Sequence, residues 1–216
     1  VIFSTFSRLQ NQKEKVAEAT IRTVELICLI SFPLSWGLAT TAQDFVPLLL
    51  GEKWMAATLP LQLLAVITPL RIVSSLTSTI AIGTGMPRVD LLNTLTSVAL
   101  MVPAFIVGAI YFGIEGLAYV WVIVYPISFG IALKRVSTRL GVAAKSILAA
   151  MLPSFLSGVA MVIATQGFRN IATLPRSLSL VGQIFIGAVV FATAISIFNP
   201  KVKREIIRWL QNKLSK

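Results

Sequence analysis

Six runs of mainly apolar residues organise this chain of 216 residues, each near the roughly 20 that an α-helix needs to cross a bilayer. They cover Val24–Ala42, Met55–Gly83, Val89–Phe112, Gly116–Leu133, Ser146–Gln166 and Leu178–Phe198. Runs this long and this continuously apolar are not the alternating strands of a membrane barrel. A soluble fold is excluded by composition: 56% of the residues are hydrophobic and 12% charged, with a mean hydropathy of +0.86. That leaves too little polar surface for an aqueous exterior. The expected fold class is therefore all-α, a polytopic membrane bundle of about six transmembrane helices plus a C-terminal amphipathic helix. Breakers separate the runs at Gly51-Glu52, Gly85-Met86-Pro87, Phe112-Gly113, Gly141, Gly167 and Asn199-Pro200. The chain is expected to divide into a cytoplasmic segment with the end of a preceding span at 1–23, a six-span bundle at 24–198 and a basic amphipathic cytoplasmic tail at 199–216.

The net charge of +11 does not indicate nucleic acid, because the basic residues sit in clusters between the apolar runs rather than on one polar face. Lys and Arg favour the cytoplasmic side of a membrane protein. Alternate connections hold Arg8, Lys13, Lys15 and Arg22; then Arg88; then Lys134, Arg135, Arg139 and Lys145; then six more in the tail. The other side holds Lys53, Arg169 and Arg176. This split of fifteen to three places both ends of the chain in the cytoplasm. In the tail, Val202, Ile206, Leu210 and Leu214 repeat every four residues beside Trp209, the pattern of a helix lying on the membrane surface. The chain opens on Val1 rather than Met, so it is expected to be a piece or a processed form of something longer.

The residues for catalysis are sparse. There is no His, the single Cys28 lies inside an apolar run, and no two acids form a paired-carboxylate or metal-ligand spacing. No Walker-type phosphate loop occurs. The chain is expected not to be an enzyme and to hold neither metal nor cofactor.

Arg71 is the sharpest single feature. It falls near the middle of the second run, two residues after Pro69, where an ionised group costs at least a few kcal/mol unless it meets water or a partner. A guanidinium suits phosphate oxygens, so one reading is an anion contact in a central cavity. The other is a structural ion pair, or a clamp on the carbonyls freed by Pro69. Gln62, Ser74, Ser75, Thr77, Ser78, Asn93 and Thr94 give the second and third spans polar faces. Arg71, Ser75 and Asn93 are the candidate cavity residues. Glu25, three residues after Arg22, is a candidate for ion coupling or for a local ion pair. Pro33, Pro60, Pro69, Pro103, Pro126 and Pro153 fall inside the spans and imply kinks. Gly108, Gly113 and Gly116 allow close helix packing.

Four segments then resemble one family. Phe3-Ser4-Thr5-Phe6-Ser7-Arg8-Leu9-Gln10 is similar to its "PafsrLQ" segment, with Ser4 or Thr5 where Pro is usual. Phe45 to Trp54 resembles its "fvpllfGekW" turn, Gly83 to Arg88 its "atGrp" turn, and Tyr111 to Ala118 its "yGieGvA" turn. The family is that of the Wzx-type polysaccharide transporters, within the multidrug/oligosaccharidyl-lipid/polysaccharide exporter superfamily. The resemblance implies the C-terminal part of a protein of about fourteen spans, beginning at the end of its eighth. It implies a flippase of the bacterial inner membrane that moves lipid-linked oligosaccharides, or exopolysaccharide and lipopolysaccharide precursors, by alternating access. The partners it implies are a polyprenyl pyrophosphate-linked sugar, membrane lipids and the missing N-terminal lobe, with no nucleic acid. It makes Arg71 a candidate contact for the pyrophosphate. Competing expectations are a drug or ion exporter of the same superfamily, a membrane-embedded transferase subunit, and a structural membrane subunit.

Overall fold

The computed structural model describes residues 13–171 and 174–199; the amphipathic tail read at 201–216 lies outside them. The described elements are helices: α1 Lys13–Phe45, α2 Thr58–Gly83, α3 Pro87–Ile123, α4 Tyr125–Leu140, α5 Ala144–Ile171 and α6 Arg176–Phe198. A π-helical turn, Val46–Leu50, and a 3-10 turn, Glu52–Ala57, join α1 to α2. The shortest uninterrupted crossing, α6, has 23 residues and spans about 35 Å at 1.5 Å per residue, enough for a bilayer core of about 30 Å.

By length and apolarity alone the chain offers five candidate spans, because Pro87–Leu140 reads as one stretch of 54 residues. That stretch is folded back on itself. Gly113 takes φ 58, ψ −138, a conformation open to glycine and strained for residues with a Cβ. Across the bend the partners run antiparallel. Gly108 packs on Gly116, the Phe105 and Trp121 rings lie 5.8 Å apart, and Ser97 and Ser128 hydroxyls are 2.6 Å apart. Nearest the open end, Arg135 Nη1 donates to the Leu92 carbonyl at 3.0 Å. In a straight helix Leu92 and Arg135 would stand about 64 Å apart. Residues 87–112 and 114–140 are thus two crossings, and the described residues make six. Close approach at the bend depends on missing side chains: a Cβ on Gly116 would stand 2.0 Å from the Gly108 carbonyl oxygen. The chain is a multi-pass membrane protein, and its outward faces carry exposed Leu91, Leu95, Ile106, Ile110, Val181 and Phe185 for lipid or for further protein to cover.

The centre of the bundle is α1, packed against α2, α5 and α6, with the α3–α4 hairpin lying on the other side of α2. Val24, Cys28 and Phe32 of α1 are buried against Val73, Leu76 and Ile80 of α2 and Ile147 and Met151 of α5. The α1–α2 seam is also held by polar side chains on backbone carbonyls. Trp36 Nε1 donates to the Val66 carbonyl at 3.0 Å and Gln62 Nε2 to that of Ala39 at 3.1 Å. Trp36 stacks edgewise on Phe32 and Phe155, and Gly158 leaves room for its indole, since a Cβ there would meet it at 2.9 Å.

Two expectations change. Lys134, Arg135 and Arg139 lie on α4 rather than in a connection, because the helix runs on to Leu140 and ends at the left-handed Gly141 (φ 70, ψ 20). Pro60 and Pro126 are not mid-helix. Pro60 sits in the first turn of α2 and Pro126 in that of α4, where a missing N–H costs nothing.

Candidate functional site: a polar cavity around Arg71

Polar residues recur on one face of each of three crossings. On α2 they are Thr68, Arg71, Ser75 and Ser78; on α3, Asp90, Asn93, Thr94 and Ser97; on the returning arm and α4, Trp121, Tyr125 and Ser128. Spacings of three and four residues keep such side chains on one stripe of a helix. The three stripes converge on a cavity of about 610 Å³, so Arg71, Ser75 and Asn93, singled out from the sequence, line one space. Glu25 and Arg22 do not contribute to that lining; both lie on the N-terminal half of α1.

Arg71 stands at the midpoint of α2. Its guanidinium carbon lies 4.3 Å from the centre of the Trp121 ring, a cation–π contact. Among the described residues Arg71 has neither an ion pair nor a hydrogen bond, and it is exposed to the cavity. The carbonyl clamp at Pro69 is therefore not what occupies it, and its N–H groups remain available. Asn93 accepts from Arg135 Nη1 at 3.4 Å, which fixes its amide with the NH₂ donors left over. Arg135 also donates to Thr96 Oγ1 at 2.6 Å. The Asp90 carboxylate accepts from the Ser78 hydroxyl where α2 turns into α3. One end of the cavity is thus acidic and partly satisfied, while the middle presents a free guanidinium with amide and hydroxyl donors beside it. Chemically, such a space is suited to an anionic group at Arg71 and to hydroxyl-rich matter along the Ser, Thr and Asn stripe.

A second polar cluster escaped sequence reading. At the opposite end of the bundle from the α2–α3 turn, buried Asp44 of α1 accepts from Gln183 Nε2 at 2.6 Å and Ser179 Oγ at 3.1 Å. Arg169 Nε lies 3.8 Å from the same carboxylate oxygen, and Arg169 also donates to Gln43. Glu52 pairs with Arg176 at the surface nearby. The cluster ties α1 to α5 and α6. Only the presence of an acid at the edge of an apolar run could have signalled it. Among the described residues no group of three or more His, Cys, Asp or Glu side chains assembles a metal site.

Comparison with known proteins agrees with this architecture. Residues 1–59 match the family model described as "Polysaccharide biosynthesis protein". The lipopolysaccharide biosynthesis protein WzxC of Escherichia coli (strain K12) is 27% identical over 128 residues, 59% of this chain and 26% of that protein. The teichuronic acid biosynthesis protein TuaB of Bacillus subtilis (strain 168) is 30% identical over 91 residues, 42% of this chain and 18% of that protein. The matched stretches thus span about a quarter or less of these relatives' lengths. The fold is similar to that of the lipid II flippase MurJ in an inward closed conformation, with a TM-score of 0.70 and 15% identity, covering 94% of this chain and 43% of that one. Part of the chain is thus similar in sequence to polysaccharide biosynthesis proteins, and the chain shares its fold with MurJ.

Proposed function

We infer that the chain forms part of a flippase that moves lipid-linked oligosaccharide, or a related polysaccharide precursor, across the bacterial cytoplasmic membrane. The single observation that carries this reading is the polar cavity around Arg71. A cation at mid-membrane is tolerated where it faces water or a partner, and the free guanidinium is matched to phosphate oxygens. The headgroup's phosphates would engage Arg71, with its sugars against Ser75, Asn93 and Thr94, while the polyprenyl tail stays in lipid. The cavity is lined by α2, α3 and α4 and is partly open, so further protein, an N-terminal lobe in this reading, would complete it. Translocation would follow from rocking of two lobes about the filled cavity, without bond-making chemistry, so no enzymatic role is assigned. The basic residues at the helix ends beside the α2–α3 and α4–α5 turns, Arg88, Arg139 and Lys145, and those of the N-terminal part of α1 would face the cytoplasm.

In the full-length protein, Arg71→Ala is expected to abolish polysaccharide export while the protein still inserts in the membrane at normal level. Arg71→Lys would restore only part of the activity, because an ammonium lacks the planar fork. Normal export by Arg71→Ala at matched protein level removes Arg71 from the mechanism.

A further inference from the structure

Trp121 packs against two other aromatic rings. It sits on the returning arm of the α3 hairpin, half-buried, between Phe105 at 5.8 Å and Tyr125 at 5.3 Å between ring centres. Phe105 comes from the outgoing arm and Tyr125 from the start of α4. The three rings form a ladder that fixes the indole plane. Arg71 reaches this plane from another helix, α2, and lies over its face.

The consequence for Arg71 follows from its length. Free in a cavity of about 610 Å³, its side chain would sample many rotamers, and ordering it on binding an anion would cost conformational entropy. Stacked on an aromatic face, the guanidinium is confined to one plane. The ring takes up its face only, so the N–H edge stays open for two parallel hydrogen bonds to an anion. A carboxylate in the same position would order Arg71 as well, but it would occupy that edge and oppose an anionic ligand. The indole orders the cation without neutralising it.

We propose that Trp121 is a positioning residue, which holds the Arg71 guanidinium flat and edge-free so that it captures the pyrophosphate of the lipid-linked substrate. This rests on the flippase reading above. It adds that the anion site is built jointly by α2 and the α3–α4 hairpin, so binding reads the distance between those two units.

The test uses purified full-length protein and farnesyl pyrophosphate as the probe. Trp121→Phe, which keeps a ring face, is expected to bind within about threefold of the parent, and Trp121→Leu about tenfold more weakly. In an Arg71→Gln background, Trp121→Leu is expected to cause no further loss, since its effect passes through Arg71. Parent-like binding by Trp121→Leu overturns the proposal. So does an equal loss with and without Arg71, which would make Trp121 a direct contact or a packing residue. Failure of the parent protein to bind the probe counts against the flippase reading instead. The pairing is then read from indole emission without ligand: Arg71→Gln should change the emission in protein carrying Trp121 and not in Trp121→Phe. Unchanged emission in both overturns the positioning role directly.

Discussion

Arg71, Ser75 and Asn93 were legible as a group because a charge and its polar neighbours stand out against apolar helices. What the sequence could not show is the partner of each. Trp121 lies 50 residues from Arg71, and its indole reads as one more apolar residue of a span until the hairpin brings it across. Arg135 was read as a loop charge, yet it reaches the Leu92 carbonyl and the Asn93 amide. Asp44 looked like the end of a run and is a buried acceptor for two donors of α6. The glycines at the bend give a sharp prediction at this scale. Gly116→Ala puts a methyl group into the Gly108 carbonyl, so the arms must separate, at a cost of about 1–3 kcal/mol. Gly113→Ala strains the turn by a similar ~1–3 kcal/mol without that clash. Each should lower the thermal unfolding midpoint of the detergent-solubilised full-length protein, whereas Gly130→Ala, which meets nothing within 4 Å, should leave it nearly unchanged.

Spans are the most legible elements, since bilayer thickness imposes their length. Four of the six apolar runs lie within single helices that extend further at most ends; the second begins at Met55, three residues before α2, and the fourth crosses the α3–α4 junction at Val124. α1 begins at least as early as Lys13 because Val16, Thr20, Val24 and Cys28 continue one buried stripe while Glu14, Glu18 and Arg22 face out. Hydropathy says nothing of which helices touch. The placing of α1 between α2, α5 and α6 rests on small and polar residues such as Gly158 and Gln62, whose role appears only with their neighbours. The tie between α1 and α6 can be measured. Gln183→Leu leaves the buried Asp44 carboxylate short of its closest donor and is expected to destabilise the protein by about 1–3 kcal/mol. Glu52→Gln removes an exposed pair, with side chains 67% and 55% accessible, and should change stability by less than about 1 kcal/mol. Equal effects of the two substitutions in a denaturation series would show that Asp44 is not a buried anchor.

At the scale of the whole molecule, alternation of six crossings puts the α2–α3 and α4–α5 turns on one face and the α1–α2 segment with the Gly113 bend on the other. The charge asymmetry then predicts direction. In a cysteine-free full-length background, Thr84→Cys should react with an impermeant maleimide only from the cytoplasmic side, and Lys53→Cys only from outside. Labelling of both from one side would break the topology. The likeness to MurJ over 94% of the chain concerns architecture, and the cavity concerns chemistry; what joins them is whether substrate enters the space around Arg71. A photo-crosslinking amino acid placed at Ser75 of the full-length protein, in membranes supplied with radiolabelled lipid-linked oligosaccharide, measures this directly. Label should transfer to the protein from position 75 and not from Val181 on the outward face of α6, and Arg71→Ala should abolish the transfer. Equal transfer from both positions, or none from position 75 during active export, would contradict a substrate path through this cavity.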